Sequence, residues 1–418
     1  MAASTSASGS LDSSLSLYHL LDPAVLANPY PLYHRLRAED PVHWDPFLHA
    51  WVVTSYADVI NVFQHFSAQR TPSPEQLTAL GLEALTPLAE VMVLQMLFLD
   101  APAHSRVRGL AAHGFTPRRV EVLRSHIQDI TNSLLDAVQS KGSMDVLADL
   151  AYPLPAIVTA ELLGVPATDW QQLTKWSADF AQVLGNFQHN PDRAPQVIQS
   201  LNEMTAYFRA KIAELREHSH DGLLNALLTA EIDGDRLSED EVVANTIVTM
   251  VGGQETTTNL IGNGILTLLR HPDQLARLKA DLDLMPSAIE ELLRYESPSQ
   301  HTARLAPDDV EIGGKLIRKH QAAIAVMGAA NRDSDQFPDP DRLDLARQPN
   351  RHVAFAWASH FCFGAPLARI EGQIAFETLL RRFPDLRLSP GPIEWRENLG
   401  LRGLKALPVA FTTVDSAR

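Results

Sequence analysis

Apolar side chains recur every three or four positions along most of the chain, the period of a helix with one buried face. Over 117–139 that face would carry Val120, Leu123, Ile127, Ile130 and Leu134. A second helix is predicted over 154–163, where Gly164 and Pro166 stop it. Stretches 202–216 and 223–229 read the same way. Strand patterns are few and short, at 49–53, 310–312, 322–326 and 409–413. The expected fold class is mainly α with a small β portion.

The longest predicted helix opens on a capping box, Ser238 with Glu241, and runs through Arg270 to His271-Pro272. At 1.5 Å per residue, ~33 residues span ~50 Å, enough to cross a whole domain, so this helix must pass through the core. Its middle is GGQETTT, residues 252–258, a poor helix-forming stretch in which each interior Gly costs ~1 kcal/mol relative to Ala. Two readings are open. The helix could kink or widen where a ligand binds against its backbone. Alternatively, Gly252 and Gly253 permit close helix packing and the Thr cluster is internally satisfied. The segment alone favours the second.

Composition narrows the picture. A chain of 418 residues with 45% hydrophobic and 20% charged residues can bury a large core. No internal repeat or long linker interrupts it, and Pro and Gly are evenly spread. One domain over 17–418 is expected, with a disordered polar tail over 1–16. The net charge of -15 argues against a nucleic-acid partner. A single cysteine leaves no internal disulfide, as in a reducing compartment. The N-terminal residues lack the basic and apolar regions of a signal peptide. The most apolar short run, VMVLQMLFL from Val91 to Leu99, is far below the ~20 residues that cross a bilayer. A cytoplasmic protein without a membrane anchor is expected. His218 and His220 read as a solvated turn, and no P-loop, dinucleotide fingerprint or H-E-x-x-H is present.

The lone cysteine carries the candidate chemistry. Cys362 lies in FAWASHFCFGAPLAR, residues 355–369, between Phe361 and Phe363. A lone Cys is most often a small buried hydrophobe. Here Gly364 follows it and a helix opens near Ala365-Pro366, so N–H groups could stabilise a thiolate while the aromatics exclude water. A single thiolate in a dry pocket suits haem iron, and it does not suit structural zinc, which needs four ligands.

Phe355, His360, Cys362 and Gly364 resemble the haem-binding loop of the cytochrome P-450 family, F-G-x-G-x-H-x-C-x-G. Ala356 and Ala358 stand where the family usually has Gly, and Ala tolerates positive φ poorly. Glu291 and Arg294 match the family's E-x-x-R, and Gly252 to Thr256 match its oxygen-binding stretch. His104 and Arg108 in DAPAHSRVRGL, LLGVP at 162–166 and LRGLKALPVAF at 401–411 extend the resemblance over about 18–411. The resemblance implies a helix-rich fold with haem b between a long central helix and the loop of its ligand, Cys362. Gly252, Gly253, Phe355 and Gly364 would lie against the haem. His104, Arg108, Arg304 and His360 would meet its propionates. Arg342 in FPDPDRLD would complete a buried Glu–Arg–Arg network with Glu291 and Arg294.

The implied activity is monooxygenation, with one atom of O2 entering an apolar substrate. Thr256 would hydrogen-bond dioxygen and Glu255 would relay protons. No flavin or iron–sulfur module is apparent, so a ferredoxin or flavodoxin with its NAD(P)H reductase would supply electrons. The absence of an anchor resembles the bacterial class. Val248, Val251, Gln300, His301, Thr302, Leu399 and Leu401 would line the substrate pocket. The loop 71–97 adds Leu, Met and Val and carries no Arg or Lys. A terpenoid, steroid or macrolide skeleton fits this mixture better than a free fatty acid. The alternatives are a peroxygenase or isomerase on the same scaffold, or a haem-binding sensor.

Overall fold

A computed structural model describes residues 15–185 and 193–413. Helices dominate, and small sheets lie beside them. Most of the sequence-predicted tail of 1–16, residues 1–14, falls outside the described residues, but Leu15 and Ser16 are buried. The Ser16 hydroxyl donates to Asp45 at 2.7 Å, so the chain is anchored there.

The long helix Glu239–Arg270 has the start and stop that its sequence predicts. The Ser238 hydroxyl accepts from the Glu241 amide at 3.2 Å, and the Glu241 carboxylate accepts from the Ser238 amide at 2.8 Å. The helix is uninterrupted through 252–258, and its two central glycines do different things. A Cβ on Gly253 would lie 2.9 Å from the Thr159 hydroxyl of the helix Pro153–Leu163, whereas a Cβ on Gly252 would meet nothing within 4 Å. Close packing thus explains Gly253, and open space lies beside Gly252. Two of the three threonines have carbonyl partners: Thr256 donates to the Gly252 carbonyl one turn back at 2.9 Å, and Thr258 to the distant Ala151 carbonyl at 2.8 Å. Further along, a Cβ on Gly264 would come within 2.4 Å of Phe376, so Gly at this position lets the helix Ala365–Arg382 approach.

Most predicted helices appear with shifted ends. The helix Pro117–Asp136 stops three residues early, and Pro153–Leu163 ends on Gly164 at φ +80°. Stretch 202–216 lies inside Ala194–Glu217, and Leu223–Thr229 matches its prediction. The main sheet has four strands in the order Val42–Asp45, Ala50–Val53, Ala322–Ala325 and Thr302–Leu305. Its central pair is parallel and the flanking pairs are antiparallel. Pattern reading misses Val42–Asp45 and Thr302–Leu305 because their side chains do not alternate cleanly between buried and exposed. The expected strand 409–413 is Pro408–Ala410, paired with Ser143–Asp145 and Arg387–Leu388. No helix of the described residues is long and apolar enough to cross a membrane.

Candidate active site

A cavity of about 310 Å³ lies where the long helix, the Cys362 loop and the strand Thr302–Leu305 meet. Its lining includes Val248, Gly252, Gly253 and Thr256 from the long helix and Cys362 and Gly364 from the loop. The loop is built from its backbone outward. Ala356 and Ala358 both adopt φ +57°, the left-handed conformation for which Gly is the usual choice. The turn geometry is therefore kept with Ala, at the cost of backbone strain. The Cys362 amide donates to the Phe355 carbonyl at 2.9 Å, closing the loop just before Ala365–Arg382 begins. Burial pushes the Cys362 thiol up, while the amides of Gly364 and Ala365 and the cations of Arg108 and Arg369 favour the thiolate.

Basic side chains ring one part of the cavity. His104, Arg108, Arg304 and His360 all line it, together with Arg70. The rings of His104 and His360 lie 4.1 Å apart. Burial, then the charge of Arg304 and the neighbouring His104, holds His360 down to about 3. Burial likewise lowers Arg304 to about 10 against the opposing pull of Asp100. His104 Nε2 is buried with no hydrogen-bond partner. Uncompensated donors and cations beside an apolar cavity describe a receptor for an apolar molecule with an anionic edge.

A buried ion network supports the loop. Glu291 and Arg294 are both 0% exposed and pair bidentately, with two bonds of 2.8 Å. The third partner is Arg347, whose Nε donates to Glu291 at 3.1 Å. The sequence-based assignment of Arg342 is corrected here. Its side chain is exposed and only its carbonyl takes part, accepting from Arg294 and Arg347. The turn after FPDPDR carries the chain back so that the second arginine of DRLDLAR, Arg347, reaches the carboxylate. Arg294 also donates to the Asn331 carbonyl at 2.8 Å, and the Asn331 side chain holds the Val353 amide at 2.7 Å, close to the loop. A second clamp joins the same helix to the next: Arg369 and His352 both hold Glu290, at 2.7 and 3.1 Å.

Other sequence-chosen residues lie elsewhere. Glu255 is 4% exposed, does not line the cavity and pairs with Arg396 at 2.8 Å. Val251 packs into the core, because it points away from the helix face that Thr249, Gly252 and Thr256 turn to the cavity, with Val248 at that face's edge. Gln300 bonds the Ser297 carbonyl at 2.7 Å and packs on Gly328, leaving His301 and Thr302 as the lining residues of that connection. Leu399 lines a separate surface cleft, with Leu26 and Trp395, and Leu401 lines the cavity instead. Sequence reasoning missed Arg70, Arg347 and Arg396. For Arg347 the nearest signal was Arg342, five positions earlier and chosen for the same network.

The sequence profile of the family described as Cytochrome P450 matches residues 92–392. The chain belongs to the cytochrome P450 family. This P450 is 39% identical over 389 residues to the biotin biosynthesis cytochrome P450 of Bacillus subtilis (strain 168), covering 92% of this chain and 97% of the relative. It is 41% identical to the cytochrome P450 monooxygenase PikC of Streptomyces venezuelae, covering 92% and 91%. Among solved structures, P450BioI in complex with a hexadec-9Z-enoic acid ligated acyl carrier protein superposes with a TM-score of 0.87 at 39% identity, over 93% of this chain and 100% of that one. CYP109E1 of Bacillus megaterium in complex with testosterone gives 0.81 at 33% identity, over 92% and 99%. The fold is the P450 fold, and the protein is an oxidoreductase of the monooxygenase type. Membership implies haem with a cysteine thiolate ligand.

Proposed function

We propose that this P450 binds haem b through Cys362 and inserts one atom of O2 into a bulky, mostly apolar substrate. The observation that carries the reading is the shared cavity: Cys362, the open face at Gly252 and the hydroxyl of Thr256 all line it. The residues fit the group, because the cavity pairs apolar walls with the guanidiniums of Arg70, Arg108 and Arg304, whose hydrogen-bond partners are neutral. Haem, when bound, would supply the activation of dioxygen. The chain's own contribution is positional. The loop N–H groups and Arg108 would favour a thiolate at Cys362. Gly253 brings the Pro153–Leu163 helix close, and Gly252 leaves room for a flat ligand. Thr256 holds a hydroxyl at the cavity, anchored on the Gly252 carbonyl. Glu255 would relay protons from the far side of the helix, with Arg396 holding its carboxylate in reserve. Electrons would come from a ferredoxin or flavodoxin with its NAD(P)H reductase. All described residues would act as one catalytic domain in the cytoplasm.

A terpenoid, steroid or macrolide skeleton is the favoured substrate class, supported by the apolar lining from Val248, Leu401 and Met96. The testosterone complex of CYP109E1 is in line with it. A chain-like acyl substrate is the second reading, favoured by the acyl carrier protein complex of P450BioI. The test is a Soret titration with sterols, terpenes, macrolides, fatty acids and acyl carrier protein thioesters, followed by product analysis under labelled O2. Spin shifts with fatty acyl compounds alone would defeat the favoured class. Cys362→Ser should lose the thiolate carbon monoxide spectrum, since no other cysteine exists to replace it. An unchanged spectrum would defeat the haem-thiolate reading itself.

A further inference from the structure

Arg70 is a cation without an anion. The Asp100 carboxylate is committed elsewhere, accepting from the Ser67 hydroxyl at 2.5 Å and from the Ala68 amide at 2.8 Å. Arg70 donates one long bond, from Nη1 to the Ala68 carbonyl at 3.3 Å, and lays its guanidinium 4.5 Å from the centre of the Phe98 ring. Its remaining surface faces the cavity. Burial first, then repulsion from Arg304, pushes its pKa well down, and no carboxylate among the described residues offsets either.

The neighbouring guanidiniums repeat the pattern. Arg304 donates to the Thr302 hydroxyl and the Ala303 carbonyl, and Arg108 to the Phe361 carbonyl. Three guanidiniums therefore face one cavity with neutral hydrogen-bond partners, and among them Arg304 alone feels a carboxylate, Asp100. Asp100 offsets part of the charge at Arg304, whereas no carboxylate of the described residues acts on Arg70. Desolvating a guanidinium costs more than an aromatic face returns, so an anion beside Arg70 would offset an otherwise uncompensated cost. The planar fork of Arg suits a carboxylate, which it can hold bidentately.

We infer that Arg70 is a carboxylate receptor at the edge of the cavity, taking a haem propionate or the carboxyl group of an amphiphilic apolar ligand. This inference rests on the haem site proposed above. It also amends the substrate reading, because Arg70 stands one position before the loop 71–97, which has no cation of its own.

The test compares Arg70→Gln and Arg70→Lys with the wild-type holoenzyme in two arms. One arm measures haem transfer to excess apomyoglobin. The other measures Soret titrations with palmitic acid and with methyl palmitate. A propionate partner predicts that Arg70→Gln releases haem roughly tenfold faster, the loss expected of one charge-assisted hydrogen bond, with acid and ester binding in unchanged ratio. A ligand carboxylate predicts unchanged haem transfer and a roughly tenfold loss of acid relative to ester. In either arm Arg70→Lys should recover part of the effect. If neither arm moves in Arg70→Gln, the inference is overturned. If Arg70→Gln holds no haem at all, Arg70→Lys decides: retention supports the receptor, and equal loss overturns it. The carbon monoxide spectrum of the wild type reports the Cys362 assignment separately, so failure of one is not failure of the other.

Discussion

Ala356 and Ala358 show what a single methyl group costs in the haem loop. Both sit at φ +57°, where a Cβ crowds the backbone and Gly does not. Ala356→Gly and Ala358→Gly are each expected to stabilise the holoprotein by up to about 1 kcal/mol, less the entropy Gly adds to the unfolded chain. Urea midpoints will check this, and glycine variants less stable than the parent would show that the strain is absent. His301 carries a pH term. Burial holds its imidazole down to about 3 from an ordinary 6.5. The folded protein therefore keeps it neutral, while the unfolded chain takes up a proton below 6.5. Its stabilising contribution is complete above pH 6.5 and is lost as the pH falls toward 3. Unfolding free energies across that window should fall less steeply in His301→Gln than in the wild type. Identical slopes would remove His301 as the cause.

The E-x-x-R helix Met285–Tyr295 keeps its buried carboxylate because the stretch 344–350 closes on it. Glu291 receives Arg294, Arg347, the Asp344 amide and the Asn350 side chain, at 2.8 to 3.1 Å. A carboxylate this enclosed tolerates no missing cation. Arg347→Ala should cost about 3–5 kcal/mol, the loss typical of breaking a buried pair. Haem content should fall with it, because Val353 and the loop beyond lean on the same network. Arg342→Ala removes an exposed side chain and should stay within about 0.5 kcal/mol. The haem-to-protein absorbance ratio and the urea midpoint of each variant separate the two arginines, and equal losses would contradict the geometry.

Across the whole molecule, Arg402 ties distant parts of the chain together. It is 4% exposed, donates to the carbonyls of Leu26 and Ala27 at 2.6 and 2.9 Å, and pairs with Glu296 at 2.7 Å. Its guanidinium also lies 3.5 Å from the centre of the Trp395 ring. The N-terminal segment, the E-x-x-R helix and the C-terminal loop thus meet on one side chain, beside the cleft that holds Leu399. Arg402→Ala should destabilise the protein by about 3–5 kcal/mol and speed proteolytic cleavage near Leu26. Unchanged cleavage there would mean that other contacts hold the segment.

Local chemistry was legible in the order of residues wherever neighbours in sequence are neighbours in space. Ser238 with Glu241 marked the start of the long helix, His271-Pro272 its end, and Gly164 the stop of Pro153–Leu163, because capping and chain reversal act over three or four residues. The surroundings of Cys362 were legible for the same reason. The two readings of GGQETTT could not be separated in advance, since the answer at Gly253 is Thr159, almost a hundred positions away. Tertiary structure alone decided that Arg347 rather than Arg342 reaches Glu291, that Glu255 turns to Arg396, and that Arg70 faces the cavity. A charged side chain finds its partner by where the folded backbone carries both, and no pattern of spacing records that distance.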